Sequence, residues 1–175
     1  MNLRNADSPN LTRVFIAIDF PGEIIREVAR VQEALGKWNF VGKFTELENL
    51  HLTLKFLGEI NSETMEKVKI RLGKIKFTEI FPFYKETPIH PISHQEEIGH
   101  RTTDLKLGNL GLFNHMGRTR IAWIKVEGVG IWELQKRIDE ALEDLFKKEE
   151  RFMSHLTIAR IKYVRDSQGF KNLST

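Results

Sequence analysis

The chain has 175 residues, of which 41% are hydrophobic and 29% charged, and its net charge is only +3 although the pI is near 9.1. This composition is that of a globular protein that buries its own core, and the absence of cysteine excludes disulfides, thiolate metal sites and a cysteine nucleophile. No apolar run reaches the roughly 18 residues of a membrane span, and residues 1–10 lack the core of a signal peptide, which predicts a cytoplasmic protein with no membrane partner.

The first half of the chain alternates between strand-like and helix-like patterns. β-branched apolar runs predict strands, and apolar residues recurring at helical spacing predict helices. Asn61 or Ser62 is the expected N-cap of the second helix. The predicted elements are a strand at 13–18, a helix at 24–35, a strand at 50–57 and a helix at 62–75.

The second half repeats the order strand, helix, strand after one additional strand. Its predicted elements are an alternating strand at 104–113, a strand at 120–126, a helix at 131–146 and a strand at 154–161. The matched spacing indicates an internal duplication, with halves at 13–76 and 104–162 inside one domain spanning 1–175. Residues 81–103 hold three of the five prolines and three of the six histidines, and we predict a loop or insertion there.

Each half carries the same polar motif inside a predicted strand, His51-x-Thr53 and His155-x-Thr157. Because side chains two apart on a strand share a face, each histidine and its threonine are expected to line the same groove. Histidine exchanges protons near neutral pH, so one imidazole can act as a base while the other acts as an acid. Threonine hydroxyls would donate hydrogen bonds to phosphate oxygens, and the paired motif therefore predicts phosphoester chemistry.

This pairing resembles the signature of the 2H phosphoesterases. The segments 48–58 and 155–160 are similar to the branch that contains the bacterial and archaeal RNA 2′,3′-cyclic phosphodiesterases, also called the 2′-5′ RNA ligase family. The resemblance extends over most of residues 13–162. It implies a bilobal α+β fold with two antiparallel sheets related by a pseudo-two-fold axis, helices packed outside, and an active-site groove between the lobes.

The resemblance also implies an activity, namely opening of an RNA 2′,3′-cyclic phosphate to a 2′-phosphate without metal or cofactor. The expected protein is a monomer that acts on RNA ends, tRNA fragments among them. By this resemblance His155 would activate the attacking water and His51 would protonate the departing 3′ oxygen, while Thr53 and Thr157 would hold the phosphate. The pseudo-symmetry leaves the two histidine roles formally exchangeable.

Four cations are further candidates for contact with the substrate. Arg118, Arg120 and Arg160 could bind RNA phosphates, because arginine offers planar bidentate donors. Strict alternation points Arg160 away from the second motif, so it would need a bulge or the strand end to reach the groove. The same alternation predicts that Lys55 lies on the face of the first motif and that Phe56 lies on the buried face. The alternative role for an aromatic residue such as Phe56 is to stack on the terminal base of the RNA.

Other kinds of site receive less support from the sequence. His90, His94 and His100 could suggest a metal site, but a loop without periodicity does not fix their spacing, and we predict none. Residues 36–43 are one residue too long for a phosphate loop and lack its Ser/Thr, so no ATP site is predicted. Three alternatives remain: ATP-independent 2′-5′ ligation to a 5′-hydroxyl, a small cyclic nucleotide as the substrate, and binding of RNA ends without turnover.

Overall fold

The computed structural model describes residues 11–38, 40–80, 105–164 and 170. The strands are β1 (Thr12–Asp19), β2 (Phe40–Phe44), β3 (His51–Ile60), β4 (Lys106–His115), β5 (Arg118–Glu127) and β6 (His155–Val164). The helices are α1 (Gly22–Gly36), α2 (Ser62–Leu72), α3 (Phe77–Ile80) and α4 (Ile131–Ala141), and a 3-10 turn covers Leu47–Asn49. Within these described ranges, no helix is long and apolar enough to cross a membrane.

The N-termini of the first two helices follow from local chemistry. The backbone N–H of Ile25 donates to the carbonyl of Pro21 at 3.2 Å, and proline precedes a helix well because it has no N–H to satisfy. At α2 the backbone N–H of Thr64 donates to Asn61 Oδ1 at 2.8 Å, which confirms the predicted asparagine cap.

Two helices end earlier than predicted. The helix predicted to residue 75 ends at Leu72, and the helix predicted to residue 146 ends at Ala141, so both C-terminal boundaries were wrong. The following apolar residues lie in tight turns, in which Ile75 N donates to Leu72 O at 3.0 Å and Phe146 N to Leu142 O at 2.9 Å. Such turns keep helical spacing for a few residues, which explains why periodicity overestimated the helices.

The strands form two antiparallel sheets, which confirms the predicted α+β class. One sheet contains β1 and β3, and the other has the order β2-β6-β5-β4. Strand β2 was not predicted, because Gly42 and Lys43 interrupt its apolar pattern. It belongs to the first half of the chain but pairs with β6 of the second half, so the two sheets are unequal in size and the halves are joined by hydrogen bonds.

The core joins helices and strands from different halves. Helix α1 contacts β6, whereas α4 contacts β3, so each helix contacts the motif strand of the opposite half. Several of the largest side chains with almost no exposure come from these elements, namely Val28, Leu52, Leu134, Leu156 and Ile158. The predicted loop at 81–103, with its three histidines, lies outside the described residues.

Candidate active site

Strand β3 carries a β-bulge just after the first motif. Thr53 pairs with Ala17 and Lys55 pairs with Ile16, which leaves Leu54 without a partner on β1. A bulge places two residues of one strand opposite a single position and resets the alternation of side chains. As a result, Leu54 and Lys55 are both buried, although they are adjacent in sequence.

Strand β6 carries the same bulge after the second motif. Thr157 pairs with Trp123 and Ala159 pairs with Ala122, which leaves Ile158 as the extra residue. Ile158 and Ala159 are both buried. The first nine residues of β3 and β6 therefore share one pattern of burial, residue for residue.

The bulges decide which residues share a face with the histidines. The prediction that Lys55 lies beside His51 was wrong, because Lys55 is only 3% exposed and points into the core. The prediction that Phe56 is buried was also wrong, because its side chain is 70% exposed. On β6 the same shift places Arg160 on the exposed face, so the bulge that Arg160 required is present.

The two imidazoles are held in the same way. His51 Nδ1 lies 2.8 Å from the carbonyl oxygen of Asn49, and His155 Nδ1 lies 2.8 Å from that of Met153. A carbonyl oxygen only accepts hydrogen bonds, so Nδ1 carries the proton in both rings. Each Nε2 then accepts a proton when the ring is neutral and donates one when it is charged, which suits either role in acid–base catalysis.

His51 lies next to an exposed aromatic pair. The ring of Phe15 stacks on His51 with centroids 4.8 Å apart and an interplanar angle of 24°, and it lies 6.2 Å from the ring of Phe56. Asp19 is the cross-strand partner of His51. The first half of the site therefore combines an imidazole, a carboxylate and an apolar surface of two phenyl rings.

His155 has different neighbours. Phe113 and Trp123 meet its ring edge to face at 5.1 and 6.0 Å, and Lys125 is its cross-strand partner. The indole of Trp123 covers Gly111, where an added Cβ would overlap the ring, so this position needs glycine. Packing between β4 and β5 therefore fixes the position of the aromatic rings that surround His155.

A buried ion pair supports the bulge of β3 from the helix side. Lys55 Nζ donates to Asp139 of α4 and, at 2.6 Å, to the carbonyl of Lys147. Burial by itself would raise the pKa of Asp139. However, hydrogen bonds from Lys55, the backbone N–H of Glu149 and Gln135 outweigh burial and hold the pKa of Asp139 below its usual value. Asp139 is thus an ionised carboxylate with its hydrogen-bond acceptors occupied.

An amide supports the bulge of β6 in the corresponding place. Gln32 of α1 is only 8% exposed, and its Nε2 donates to the carbonyl of the bulge residue Ile158 at 3.0 Å and to that of Thr45 at 2.8 Å. The Ile158 carbonyl also accepts the backbone N–H of Thr45 at 2.9 Å, so Gln32 adds a second hydrogen bond to it and joins α1 to the bulge. Sequence reasoning missed both supports, because neither is visible before the helices are packed.

The remaining arginines lie farther along the β4–β5 hairpin. Arg118 pairs with His115 at the hairpin end. Arg120 is exposed, and its Nη1 donates to the carbonyl of Lys162 at 3.5 Å. Arg160 is therefore the arginine that follows a motif directly on the same strand face.

Strands β3 and β6 also contact each other, although they belong to different sheets.

Other sites are not evident in the described part of the chain. It contains no cluster of three or more histidine, cysteine, aspartate or glutamate residues that could hold a metal ion. A depression of about 600 Å³ lies between α2, α3 and α4, but no residue of either motif lines it. The motif faces of β3 and β6 remain the place where the residues suited to catalysis are concentrated.

Comparison with known proteins identifies the family of this chain. Residues 18–92 match the family model described as LigT like Phosphoesterase. An RNA 2′,3′-cyclic phosphodiesterase from Methanocaldococcus jannaschii is 32% identical over 161 residues, which is 91% of this chain and 78% of that protein. A protein of the same name from Archaeoglobus fulgidus is 30% identical, covering 86% of this chain and 73% of its own length.

Solved structures share the fold. The protein TT0787 from Thermus thermophilus superimposes with a TM-score of 0.62 at 24% identity, covering 87% of this chain and 75% of that one. LigT from E. coli in complex with 3′-AMP gives 0.58 at 22% identity, covering 86% and 73%. The solved structures show the shared fold, and the sequence identity to the Methanocaldococcus jannaschii protein, with the family-model match, shows that the chain belongs to the LigT-like phosphoesterase family.

Proposed function

We propose that this protein hydrolyses the 2′,3′-cyclic phosphate at the end of an RNA strand and leaves a 2′-phosphate. The observation that carries the proposal is the repeated His-x-Thr motif, held twice by the same Nδ1–carbonyl hydrogen bond with each Nε2 left for the substrate. The relatives named RNA 2′,3′-cyclic phosphodiesterase support the choice of substrate.

The reaction removes one proton from the attacking water and supplies one proton to the departing 3′ oxygen. Neutral His155 accepts a proton from water at Nε2 while the water oxygen attacks phosphorus. The bond from phosphorus to the 3′ oxygen breaks, and charged His51 donates its Nε2 proton to that oxygen. Thr53 and Thr157 donate hydrogen bonds to the non-bridging oxygens, and each proton transfer contributes about 10² to 10⁴ in rate. No step calls for a metal ion.

The two histidines have different cross-strand partners. Asp19 lies opposite His51, and Lys125 lies opposite His155. The two halves of the site are therefore chemically unequal, and the roles of His51 as proton donor and His155 as proton acceptor follow the family resemblance.

The bulges support roles for two further residues. Arg160 follows Thr157 on one face, where its guanidinium would bind the phosphate in a bidentate manner and stabilise charge in the transition state. Phe56 follows Thr53 on the other strand, where its exposed ring, next to Phe15, would stack on the terminal base. Arg118 and Arg120 would at most contact RNA phosphates farther from the reacting atoms.

The test is an assay on an oligoribonucleotide with a 2′,3′-cyclic end, in the presence of a metal chelator, with product analysis by chromatography. We expect a 2′-phosphate product, and we expect His51→Ala and His155→Ala each to lower turnover by about 10² to 10⁴. The matched control is His115→Ala, which removes an exposed histidine at the end of β4 and should retain full activity.

Three results would contradict the proposal in different ways. Near-wild-type turnover in either motif variant would exclude the two-histidine mechanism. Loss of wild-type activity with chelator would require a metal ion. An RNA with a 5′-hydroxyl end is added as a second substrate. If the protein then joins the two RNAs and does not hydrolyse the cyclic phosphate, the attacking group is the 5′-hydroxyl rather than water.

A further inference from the structure

An exposed apolar pair lies beyond Arg160 on β2 and β6. Val41 and Tyr163 are direct cross-strand partners, and they are 52% and 59% exposed. Two large exposed side chains in register differ from the scattered apolar residues that are normal on a surface. Their position next to the candidate active site makes them a candidate for ligand contact.

The register of the sheet shows which face the pair occupies. The neighbouring partners Phe40 and Val164 pack against the core. Because successive side chains alternate, Val41 and Tyr163 point to the opposite face, away from the core.

The same face connects the pair to the active site. Lys43 and Arg160 are also direct cross-strand partners, and both are exposed while their strand neighbours Phe44 and Ala159 lie in or against the core. They lie between Thr157 and the apolar pair, so the polar part of the site continues into it. We call Val41, Lys43 and Tyr163 the β2–β6 patch.

The chemistry of the patch suits single-stranded RNA. Proteins that bind such strands combine cations that contact the backbone with aromatic rings on which bases stack. Lys43 forms an ion pair with Glu46 at 2.6 Å, but the lysine is 77% exposed, so a phosphate can exchange for the glutamate at little cost. Tyr163 supplies the ring, and Val41 supplies an apolar neighbour.

We propose that the β2–β6 patch binds the nucleotide on the 5′ side of the terminal, cyclic-phosphate nucleotide, with its base on Tyr163 and its phosphate near Lys43. The proposal rests on the proposed function and makes it more specific. It identifies the substrate as an RNA chain of at least two nucleotides rather than a small cyclic nucleotide.

The test compares two substrates with the same terminal nucleoside, a 2′,3′-cyclic mononucleotide and a trinucleotide with a 2′,3′-cyclic end. For the wild-type protein we expect a higher kcat/KM on the trinucleotide. Tyr163→Ala should lower that value by about 5-fold to 150-fold, the range for one base stacked on an aromatic side chain, and leave the mononucleotide value unchanged. Tyr163→Phe, which keeps the ring, should behave like the wild type. Lys43→Gln should weaken the salt dependence of KM for the trinucleotide alone.

The outcomes separate the two proposals. If the wild type hydrolyses neither substrate, the proposed function fails. If it hydrolyses both equally and Tyr163→Ala changes neither, the proposed function stands and the patch is not a subsite. An equal loss on both substrates in Tyr163→Ala also overturns the patch, because it indicates a general structural effect, and a melting curve of the variant identifies that effect.

Discussion

Strands β3 and β6 share a backbone design but carry different chemistry. Both begin with a histidine held by the carbonyl two residues before it, and both bulge at the fourth residue. At the fifth and sixth residues β3 has Lys55 and Phe56, whereas β6 has Ala159 and Arg160. The backbone of the duplicated unit is therefore retained while the side chains next to the bulge have diverged.

The difference indicates how a symmetric scaffold can serve an asymmetric substrate. A nucleotide end has an apolar base on one side and an anionic phosphate on the other. An exposed phenyl ring on β3 and an exposed guanidinium on β6 match these two parts. The interior differs as well, because a buried ion pair supports one bulge and a neutral glutamine supports the other.

The largest expected effect comes from the ion pair behind β3. Lys55→Met leaves the carboxylate of Asp139 buried without its cation, which should lower the free energy of unfolding by about 3 to 5 kcal/mol. Urea unfolding measures this change. The matched control is Lys67→Met, which removes an exposed ion pair with Glu63 and should shift the midpoint little.

The double variant Lys55→Met/Asp139→Leu distinguishes an unpaired charge from lost packing. We expect it to recover much of the stability, because an apolar pair can replace a buried ion pair. No recovery would indicate that the hydrogen bonds that Asp139 accepts from Gln135 and the Glu149 N–H, which leucine cannot accept, contribute more to stability than the charge pair.

The next largest effect is expected on kcat, when Arg160 of β6 is replaced. Arg160→Ala should lower kcat by about 10² to 10³ on the cyclic-ended RNA, because a charged donor to the transition state is lost. Arg160→Lys keeps the charge but not the bidentate geometry, so it should recover only part of the rate. Wild-type kcat in Arg160→Ala would exclude the proposed role of this residue.

Replacement of Phe56 on β3 should change KM more than kcat. Phe56→Ala should raise KM by about 5-fold to 150-fold with a smaller change in kcat, because one base loses its stacking partner. Steady-state kinetics on the same substrate separate the two constants. If Phe56→Ala and Arg160→Ala change kcat and KM alike, the division of labour between β3 and β6 is wrong.

The smallest expected effect is a change in stability at acidic pH. The folded-state pKa of Asp139 is held below the usual 3.8, so its contribution to stability is complete above that pH and is lost as the pH falls through the folded value. In Lys55→Met the main partner that lowers this pKa is gone while burial still raises it, so the loss of stability in acid that is due to Asp139 should become smaller or reverse. Unfolding midpoints measured between about pH 5 and pH 2.5 test this; identical profiles would contradict the role of Lys55.

The sequence predicted the histidines and threonines because they repeat at matched spacing within apolar strands. It did not predict the face of Lys55 or Phe56, because strict alternation fails at a bulge and a bulge has no strong signal in a single strand. One signal was available: in the matching segment, Ile158 and Ala159 are adjacent apolar residues, which interrupts the alternation expected of a regular strand. The supporting contacts of Asp139 and Gln32 could not be predicted, because they depend on how helices of one half pack on strands of the other.

The pairing of β2 with β6 has a consequence for how the chain folds. Phe44 and its partner Ala159 are 115 residues apart in sequence, so the larger sheet closes only after β6 has been synthesised. Loop closure over such a distance makes folding slow compared with proteins of local topology. Until then the edge of β2 is unpaired, so the nascent first half exposes a strand that can pair with another chain.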